Sequence, residues 1–193
     1  MTPSRTVDRP WLVVVCGPSG GGKSSLARPL SELLQLPLLS KDDLKEVLFD
    51  TLGSGDRKRS RALSDAAYRL MFHVAERELK SSRSLMLEAN FRPDAATALA
   101  KLVAANGSAV IRVRCYAEPD VLVERLTRRA EQKLRHPGHL DAELLPEAAT
   151  LITEGGIDLD GPLVEVDTTD PSIVDVRAVA RRVTDLMSRK KGS

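Results

Sequence analysis

The sequence has few cysteines, no long apolar run and almost no excess of charge, and each shortage excludes a class of protein. The two cysteines, Cys16 and Cys115, fall in stretches that are typical of buried strands. We therefore expect reduced core side chains in a cytoplasmic protein rather than a disulfide framework. No apolar stretch approaches the roughly 18 residues of a membrane span. Residues 1–9 carry charge without an apolar core, which argues against a secretory signal. We expect residues 1–9 and 190–193 to be flexible.

The balance of charge gives no support for a nucleic-acid partner. Lysine and arginine number 29 and aspartate and glutamate 27, which leaves a formal net charge of +2. Nucleic-acid-binding domains carry a marked basic excess. The 42% of hydrophobic and 29% of charged residues are ordinary for a globular protein. At this length we expect residues 1–193 to form a single domain, as a monomer or a homodimer.

A glycine-rich segment between an apolar strand and a helix is the most informative part of the chain. Residues 11–16 are an unbroken apolar run, typical of a strand buried on both faces. Residues 17–24 match G-x-x-x-x-G-K-[ST] at every fixed position, and leucines at helical spacing follow. This context predicts a phosphate-binding loop. We expect the nucleotide to contact Gly17, Pro18, Ser19, Gly20, Gly21, Gly22, Lys23, Ser24 and Ser25.

The residue types of this loop suit a nucleoside triphosphate. Glycine allows a backbone whose N–H groups converge on phosphate oxygens, and the start of the helix adds the positive end of its dipole. We expect Lys23 to reach the β- and γ-phosphates and the Ser24 hydroxyl to ligate Mg²⁺, while the role of Ser25 is left open. Pro29 lies within the helix, so we expect a kink or an early end near Arg28.

Apolar runs and helical periodicities alternate along the rest of the chain. This alternation predicts an α/β fold in which helices cover both faces of a five-stranded parallel sheet. The expected strands are residues 11–16, 36–40, 84–87, 109–116 and 162–166. One expected helix begins at Lys23, and five others cover residues 41–50, 61–80, 93–105, 119–134 and 173–189. A polar linker is expected at 51–60 and a loop at 136–146.

Two acidic residues follow the second strand, at the sheet edge where such folds bind ligands. Phosphoryl transfer needs a group that accepts the proton of the acceptor hydroxyl, and Asp42 is our candidate for this general base. Asp43 is the alternative, and we expect one of the two to cap the following helix. Lys45, one turn further along, either binds an anionic substrate or lies in solvent.

The third and fifth strands end in further polar side chains at the same edge. We expect Glu88 to hold Mg²⁺ through water or to contact the acceptor, and Asn90 to orient the acceptor. Arg92 follows them as a further substrate-binding residue. Asp167 and Thr168 come after the last strand and are expected to shape the adenine pocket.

Three arginines, Arg125, Arg128 and Arg129, lie on the helix face opposite its leucines. A charged stripe of this kind is usually a solvated face. In a lid over a transferring phosphate, however, guanidinium groups match the phosphate oxygens. We therefore expect Arg125 and Arg129 to act in catalysis, Arg129 also in nucleotide binding, within a lid of about residues 125–146.

Two histidines, His136 and His139, fall in the loop after these arginines. Without cysteines nearby, they are weak evidence for a metal site. Their role stays open between substrate contact and plain loop residues.

At these motifs the sequence resembles the small P-loop kinases of the AAA_33-type group. Their relatives include polynucleotide 5′-hydroxyl kinase domains, zeta toxins and chloramphenicol phosphotransferase. The resemblance covers about residues 11–169 and rests on the 17–24 loop, on S-K-D-D-L-K and on L-E-A-N-F-R-P. It implies a three-layer α/β/α P-loop NTPase fold of the nucleoside-monophosphate-kinase type with a lid. It also implies ATP and Mg²⁺ as cofactors, and no guanine-reading N-K-x-D motif is present.

The resemblance also implies roles for the matching positions. The kinase domains of this group end their second strand in D-D-x-[RK], and the first aspartate of that motif deprotonates the acceptor. That aspartate corresponds to Asp42, with Lys45 at the basic position. The D-x-N-like end of their third strand and their paired lid arginines correspond to Glu88, Asn90, Arg125 and Arg129.

Three departures from this pattern bear on the substrate. Glu88 replaces a shorter aspartate, Lys45 replaces an arginine and so loses bidentate phosphate recognition, and the strongly basic surface of a polynucleotide kinase is missing. The sequence therefore predicts an ATP-dependent kinase of a small hydroxyl compound, such as a metabolite, sugar, nucleoside or antibiotic. The alternatives are a polynucleotide or nucleotide-sugar kinase, including the toxin type, and a non-catalytic nucleotide-dependent switch or ATPase.

Overall fold

The computed structural model describes residues 9–153 and 156–189. Its sheet has five parallel strands in the order β2-β3-β1-β4-β5, which confirms the predicted architecture. The strands are β1 (Trp11–Cys16), β2 (Leu38–Ser40), β3 (Leu85–Glu88), β4 (Ala109–Tyr116) and β5 (Leu163–Asp167). The predicted flexibility of residues 1–8 and 190–193 concerns positions outside the described residues. Arg9 is described, and its guanidinium donates a hydrogen bond to the Ser108 carbonyl over 3.0 Å.

Helices cover both faces of the sheet, as the alternating pattern predicts. The longer helices are α1 (Lys23–Leu34), α2 (Lys41–Leu52), α3 (Arg57–Lys80), α4 (Pro93–Asn106) and α5 (Pro119–Glu131). Two short helices, α6 (Asp141–Leu144) and α7 (Ala148–Leu151), precede the C-terminal helix α8 (Val176–Arg189). Single 3₁₀ turns lie at Pro137–His139, Leu145–Glu147 and Pro171–Ile173. None of the helices within the described ranges has both the length and the apolar character that a membrane crossing requires.

The central strand β1 is buried along its whole length, and its side chains alternate between two cores. Leu12 and Val14 pack with side chains of α3 and α4. Val13 and Val15 pack with side chains of α1 and α8. This double burial explains the continuous apolar run, and it fixes the end of β1, and with it the glycine loop, at the carboxyl edge of the sheet.

Several predicted helix boundaries are wrong. The end of a helix depends on its contacts with other segments, and the hydrophobic periodicity of the helix does not reveal these contacts. The expected linker at 51–60 is shorter, because α2 continues to Leu52 and α3 already begins at Arg57. Asp56 caps α3 by accepting the backbone N–H of Arg59 over 2.8 Å. The expected loop at 136–146 contains short helical turns, and α5 ends at Glu131 rather than at 134.

The expected early end of α1 near Arg28 is also wrong. The helix runs through Pro29 to Leu34. Leu26, Ala27 and Leu30 are buried against the sheet on its inner face. Their packing holds the helix together where the proline removes one backbone hydrogen bond.

Candidate active site

The glycine loop lies tightly against the end of β4. Gly17 has a φ of +141°, and a Cβ at this position would lie 2.2 Å from the Cys115 carbonyl oxygen, so only glycine fits. Gly22 is the N-cap of α1 with a φ of 72° and offers no side chain to the first-turn N–H groups. Those N–H groups and the positive end of the helix dipole therefore suit the phosphate oxygens of a nucleotide.

Lys23 folds back over this loop. Its ammonium donates a hydrogen bond to the Pro18 carbonyl over 2.7 Å. Burial lowers the pKa of Lys23, while the charges of Glu88 and Asp42 act in the opposite direction. A buried ammonium bound to one carbonyl is poorly compensated, and a phosphate anion would stabilise it.

Glu88 joins the glycine loop to the end of β2. Its side chain is buried, and Oε2 accepts hydrogen bonds from Ser24 Oγ over 3.2 Å and from Ser40 Oγ over 2.8 Å. Burial raises the pKa of Glu88, and the charge of Lys23 opposes this shift. Hydroxyl and carboxylate oxygens are the hard ligands that Mg²⁺ prefers.

The oxygens of Ser24 and Glu88 could bind Mg²⁺ only together with other ligands. Among the described residues, no group of three or more His, Cys, Asp or Glu side chains could hold a metal ion. Magnesium in nucleotide sites is typically bound by one or two protein oxygens, substrate phosphates and water. Ser24 with Glu88 matches that sparse protein contribution.

Ser40, not an aspartate, caps α2, which corrects the expectation that Asp42 or Asp43 does so. Ser40 Oγ accepts the backbone N–H of Asp43 over 3.4 Å. The Asp43 carboxylate also lines the cavity, but it is half exposed and pairs with Arg28 over 2.9 Å. The Asp42 carboxylate is therefore available to the cavity.

Two cations hold Asp42 in its ionised form. Lys41 Nζ lies 2.8 Å from Oδ1, and the Arg135 guanidinium lies 2.5 Å from Oδ2. Burial alone would raise the pKa of Asp42, but the charges of Lys41 and Arg135 hold it well below its ordinary value. About a third of the side chain remains exposed, at 36%. The group is therefore a carboxylate near neutral pH that a ligand can reach, as a proton acceptor must be.

Arg135, like Lys41, lines the cavity beside Asp42 and was not predicted from the sequence. It lies beyond the C-terminus of α5, where Lys133 adopts a φ of 50° and turns the chain. Besides Asp42, it lies 3.5 Å from an oxygen of Asp141. Helical spacing cannot predict this position because the residue lies outside the helix.

The lid arginines make two different sets of contacts. Arg125 donates to the Gly20 carbonyl over 3.1 Å and to the Thr168 carbonyl over 2.5 Å, and so links the glycine loop to the end of β5. Arg129 forms a two-point ion pair with Asp141, with distances of 2.9 and 3.0 Å. Burial lowers the pKa of Arg129, and Arg135 adds to this effect. Both arginines line the cavity, whereas their contact with a phosphate remains a prediction.

The turn at Pro137–His139 is fastened to α2 and α3. His139 Nε2 lies 2.9 Å from Glu46 Oε1, and the Ser60 hydroxyl donates to the Gly138 carbonyl over 2.8 Å. Gly138 packs against the ring of Phe49, because a Cβ there would lie 2.7 Å from ring carbons. Burial, with Arg135, lowers the pKa of His139 to about 3. The ring is therefore neutral at physiological pH.

Of the remaining predicted site residues, some line the cavity and others do not. Asn90 and Thr168 line it, and Asn90 Oδ1 accepts the Tyr68 hydroxyl over 3.1 Å. Within the described residues, neither Arg92 nor Asp167 is part of the lining. Arg92 instead pairs with Asp65 over 2.5 Å, and Asp167 accepts the backbone N–H of Thr169 over 2.9 Å.

One cavity of about 780 Å³ brings the two halves of the site together. Ser19 to Leu26, from the glycine loop and the start of α1, lie on one side. Lys41, Asp42 and Lys45 of α2 lie on another, with Arg135 from beyond α5. A volume of this size accommodates a nucleotide and part of a second small molecule.

Several solved structures with the same architecture are kinases or carry that name. A protein of Chloroflexus aurantiacus named a putative kinase is 38% identical, with a TM-score of 0.82 over 92% of this chain and 98% of that one. The Mycobacterium tuberculosis APS kinase CysC, solved with AMPPNP and APS, is 19% identical with a TM-score of 0.60, covering 93% and 98% of the two chains. A gluconokinase from Sinorhizobium meliloti is 19% identical with a TM-score of 0.52 over 93% of each chain. At these lower identities the likeness shows the fold.

A sequence relative and a family model identify the family of this chain. The uncharacterized protein Rv2004c of Mycobacterium tuberculosis is 31% identical over 161 residues, which is 78% of this chain. The match spans about a third of that relative's length, at 32%. The family model AAA_33, described as an AAA domain, matches residues 12–149. The chain therefore belongs to the AAA_33 family of P-loop kinase domains.

Proposed function

We propose that this protein is an ATP- and Mg²⁺-dependent kinase that transfers the γ-phosphoryl group to a hydroxyl of a small molecule. One observation carries the proposal. The Asp42 carboxylate, kept ionised by Lys41 and Arg135, lines the same cavity as Lys23 and Ser24 of the phosphate-binding loop. Phosphoryl transfer to a hydroxyl needs a group that accepts the hydroxyl proton, and an ionised carboxylate beside the phosphate-binding loop can do so.

In this proposal each part of the site has one task. The loop N–H groups and Lys23 bind the β- and γ-phosphates, which positions the reacting phosphorus. Bound Mg²⁺, held through Ser24 and Glu88, supplies neutralising charge. Asp42 accepts the hydroxyl proton of the acceptor as the acceptor oxygen bonds to the γ-phosphorus and the bond from that phosphorus to the β–γ bridging oxygen breaks, which leaves ADP. The proton then resides on Asp42 until it passes to solvent.

The arginines of the lid complete the site. Residues 125–146 form the lid in this proposal, and Arg129 lies at the cavity, where its ion pair with Asp141 can be exchanged for a phosphate oxygen. Arg125 holds the glycine loop and the end of β5 in place for the nucleotide. Closure of such a segment excludes water, which protects ATP from hydrolysis before the acceptor binds.

The test is ADP release from the purified protein with Mg-ATP across a panel of hydroxyl compounds. The panel includes sugars, sugar acids, nucleosides, aminoglycosides and other hydroxylated antibiotics. We expect one class to raise ADP release and to gain the mass of one phosphate. ATP binding with no phosphorylated product from any compound contradicts the proposal, and ATP hydrolysis stimulated by another protein would support a nucleotide-dependent switch.

A further inference from the structure

Lys45 is a buried cation that the protein itself leaves without a counter-charge. Its side chain lies on α2 one turn after Lys41, and only 7% of the residue is exposed. Among the described residues, no carboxylate oxygen lies within 4.0 Å of its ammonium. Burial of an unpaired ammonium is costly, so a position like this is normally apolar unless the charge has a use.

The neighbours of Lys45 fix its position and satisfy only part of its hydrogen-bonding capacity. Its Nζ donates to Ser60 Oγ over 3.0 Å and lies 4.9 Å from the centre of the Phe49 ring. Ser60 in turn donates to the Gly138 carbonyl over 2.8 Å, so its acceptor side is directed at the lysine. An ammonium group has three donors, and among the described residues only Ser60 accepts from this one.

Lys45 also lines the cavity that contains Asp42 and the glycine loop. Lys41 lines the same cavity, and its side chain is 10% exposed. The one carboxylate close to Lys41 is that of Asp42, which Arg135 already shares. In the described lining of the cavity as a whole, eight lysines and arginines face five aspartates and glutamates, so positive charge exceeds negative charge.

We propose that the acceptor carries an anionic group, a carboxylate or a phosphate or sulfate ester, which binds Lys45 and Lys41 while its hydroxyl lies at Asp42. This inference rests on the proposed function and names the chemical class of its substrate. Lys41 and Lys45 are four residues apart, about 6 Å along the helix axis, so one anionic group can bind both. Lys41 Nζ also lies 2.8 Å from Asp42 Oδ1, so the anionic group and the reacting hydroxyl would be separated by a few bonds, as in a small hydroxy acid or sugar phosphate.

Burial of the lysine agrees with this assignment. It lowers the pKa of Lys45 to about 8, and the nearby charge of Lys41 acts in the same direction. The carboxylate of Asp42 opposes the shift. An anion bound at this position would raise the pKa again, because it favours the charged form.

The test compares pairs of hydroxyl compounds in which an anionic group of one takes the place of a neutral hydroxymethyl or hydroxyl group of the other. The carboxylate pairs are glycerate with glycerol and pantothenate with panthenol, and the phosphate pair is ribose 5-phosphate with ribose. Binding is measured calorimetrically with a non-hydrolysable ATP analogue present, and transfer is measured by mass spectrometry with Mg-ATP. We expect at least one anionic compound to bind about tenfold or more tightly than its neutral partner, since a hydrogen bond to a charged group contributes about 1.5–3 kcal/mol.

Variants of the protein test whether Lys45 causes the preference for the anionic compound of each pair. Lys45→Met should weaken binding of the anionic compound about 10- to 100-fold and leave its neutral partner unaffected. Lys80→Met is the matched control, because Lys80 is exposed and pairs with Glu76 on the surface of α3. Equal binding within every pair, no binding by any anionic compound, or an unchanged preference in Lys45→Met overturns the inference. Transfer to neutral hydroxyl compounds alone would overturn it while leaving the proposed kinase intact, whereas no transfer to any compound would contradict the kinase itself.

Discussion

Arg135 binds the carboxylate of Asp42 across the cavity, with 2.5 Å between guanidinium nitrogen and Oδ2. One residue belongs to the first turn of α2 and the other to the segment after α5, so the pair joins the sheet edge to the predicted lid. The contact has two consequences. It keeps Asp42 ionised, and it couples the position of the segment after α5 to the protonation state of the proposed general base.

Removal of Arg135 should therefore move the pH dependence of catalysis. Arg135 is one of the charges that lower the pKa of Asp42, so in Arg135→Gln this pKa rises. The acid limb of kcat/KM reports the free enzyme's base, and we expect it to shift to higher pH. Arg83→Gln is the control, because Arg83 pairs with Glu78 on the surface. An acid limb that is unchanged in Arg135→Gln would argue against Asp42 as the group that titrates.

Gly138 should be required for the lid segment to pack on α2. In Gly138→Ala the new Cβ would meet the Phe49 ring at 2.7 Å, so either the ring or the segment must move. Overpacking of this kind typically costs about 1–3 kcal/mol. We expect a lower free energy of unfolding in urea and faster hydrogen exchange in residues 132–140. Gly156→Ala has open space around its Cβ and serves as the control. Equal stability of the two variants would show that the segment does not pack in this way.

Lys45 should make the protein less stable at neutral pH than a neutral side chain of similar size. Its pKa is lowered from 10.5 to about 8 in the folded protein. The unfolded chain therefore binds more protons than the folded protein between these two values, and the stability of the wild type rises with pH across this window. We expect Lys45→Met to be the more stable protein at pH 7, by on the order of 1 kcal/mol. The difference should narrow as the pH rises from 8 to 10, measured by urea unfolding. A difference that stays constant over this range would contradict the account.

Glu88 should affect Mg²⁺ rather than the binding of ATP itself. Glu88→Gln keeps an oxygen that can accept from Ser24 and Ser40 but removes the buried charge. Loss of a residue that orients metal ligands typically costs about 10- to 100-fold in metal affinity. We therefore expect Glu88→Gln to need about 10- to 100-fold more Mg²⁺ for half of the Mg²⁺-dependent change in the binding of a fluorescent ATP analogue. Glu32→Gln, on the exposed face of α1, is the control. An unshifted Mg²⁺ dependence would remove Glu88 from the metal site.

The parts of the site that the sequence predicts are those that local rules determine. The loop at 17–24 follows from spacing and from the apolar strand before it, and the structure places Asp42 and Glu88 at neighbouring strand ends because parallel strands share an edge. The position of Arg135 depends on a turn at Lys133 whose φ of 50° leaves no periodic signal. The burial of Lys45 depends on Ser60 and Gly138, which come from two distant segments. Long-range packing of this kind cannot be read from one helix.

The same limit explains the incorrect cap of α2. Ser40, Asp42 and Asp43 are all good N-cap residues, and the choice among them depends on where β2 stops. Pairing of Ser40 with Glu88 keeps Ser40 in the strand and starts the helix at Lys41. The consequence is functional, because it leaves Asp42 in the first turn, facing two cations rather than capping its own helix.

The most direct test of the central claim compares Asp42→Asn with Asp43→Asn in phosphoryl transfer. The two residues are adjacent and both line the cavity, but Asp42 pairs with Lys41 and Arg135 while Asp43 is half exposed and pairs with Arg28. The measurement is phosphorylated acceptor formed per enzyme per second, followed by mass spectrometry, together with the Kd for ATP. We expect Asp42→Asn to lower turnover about 10²- to 10⁴-fold with ATP binding retained, and Asp43→Asn to remain close to the wild type. Full turnover in Asp42→Asn, or a loss confined to Asp43→Asn, would contradict the assignment of Asp42 as the general base.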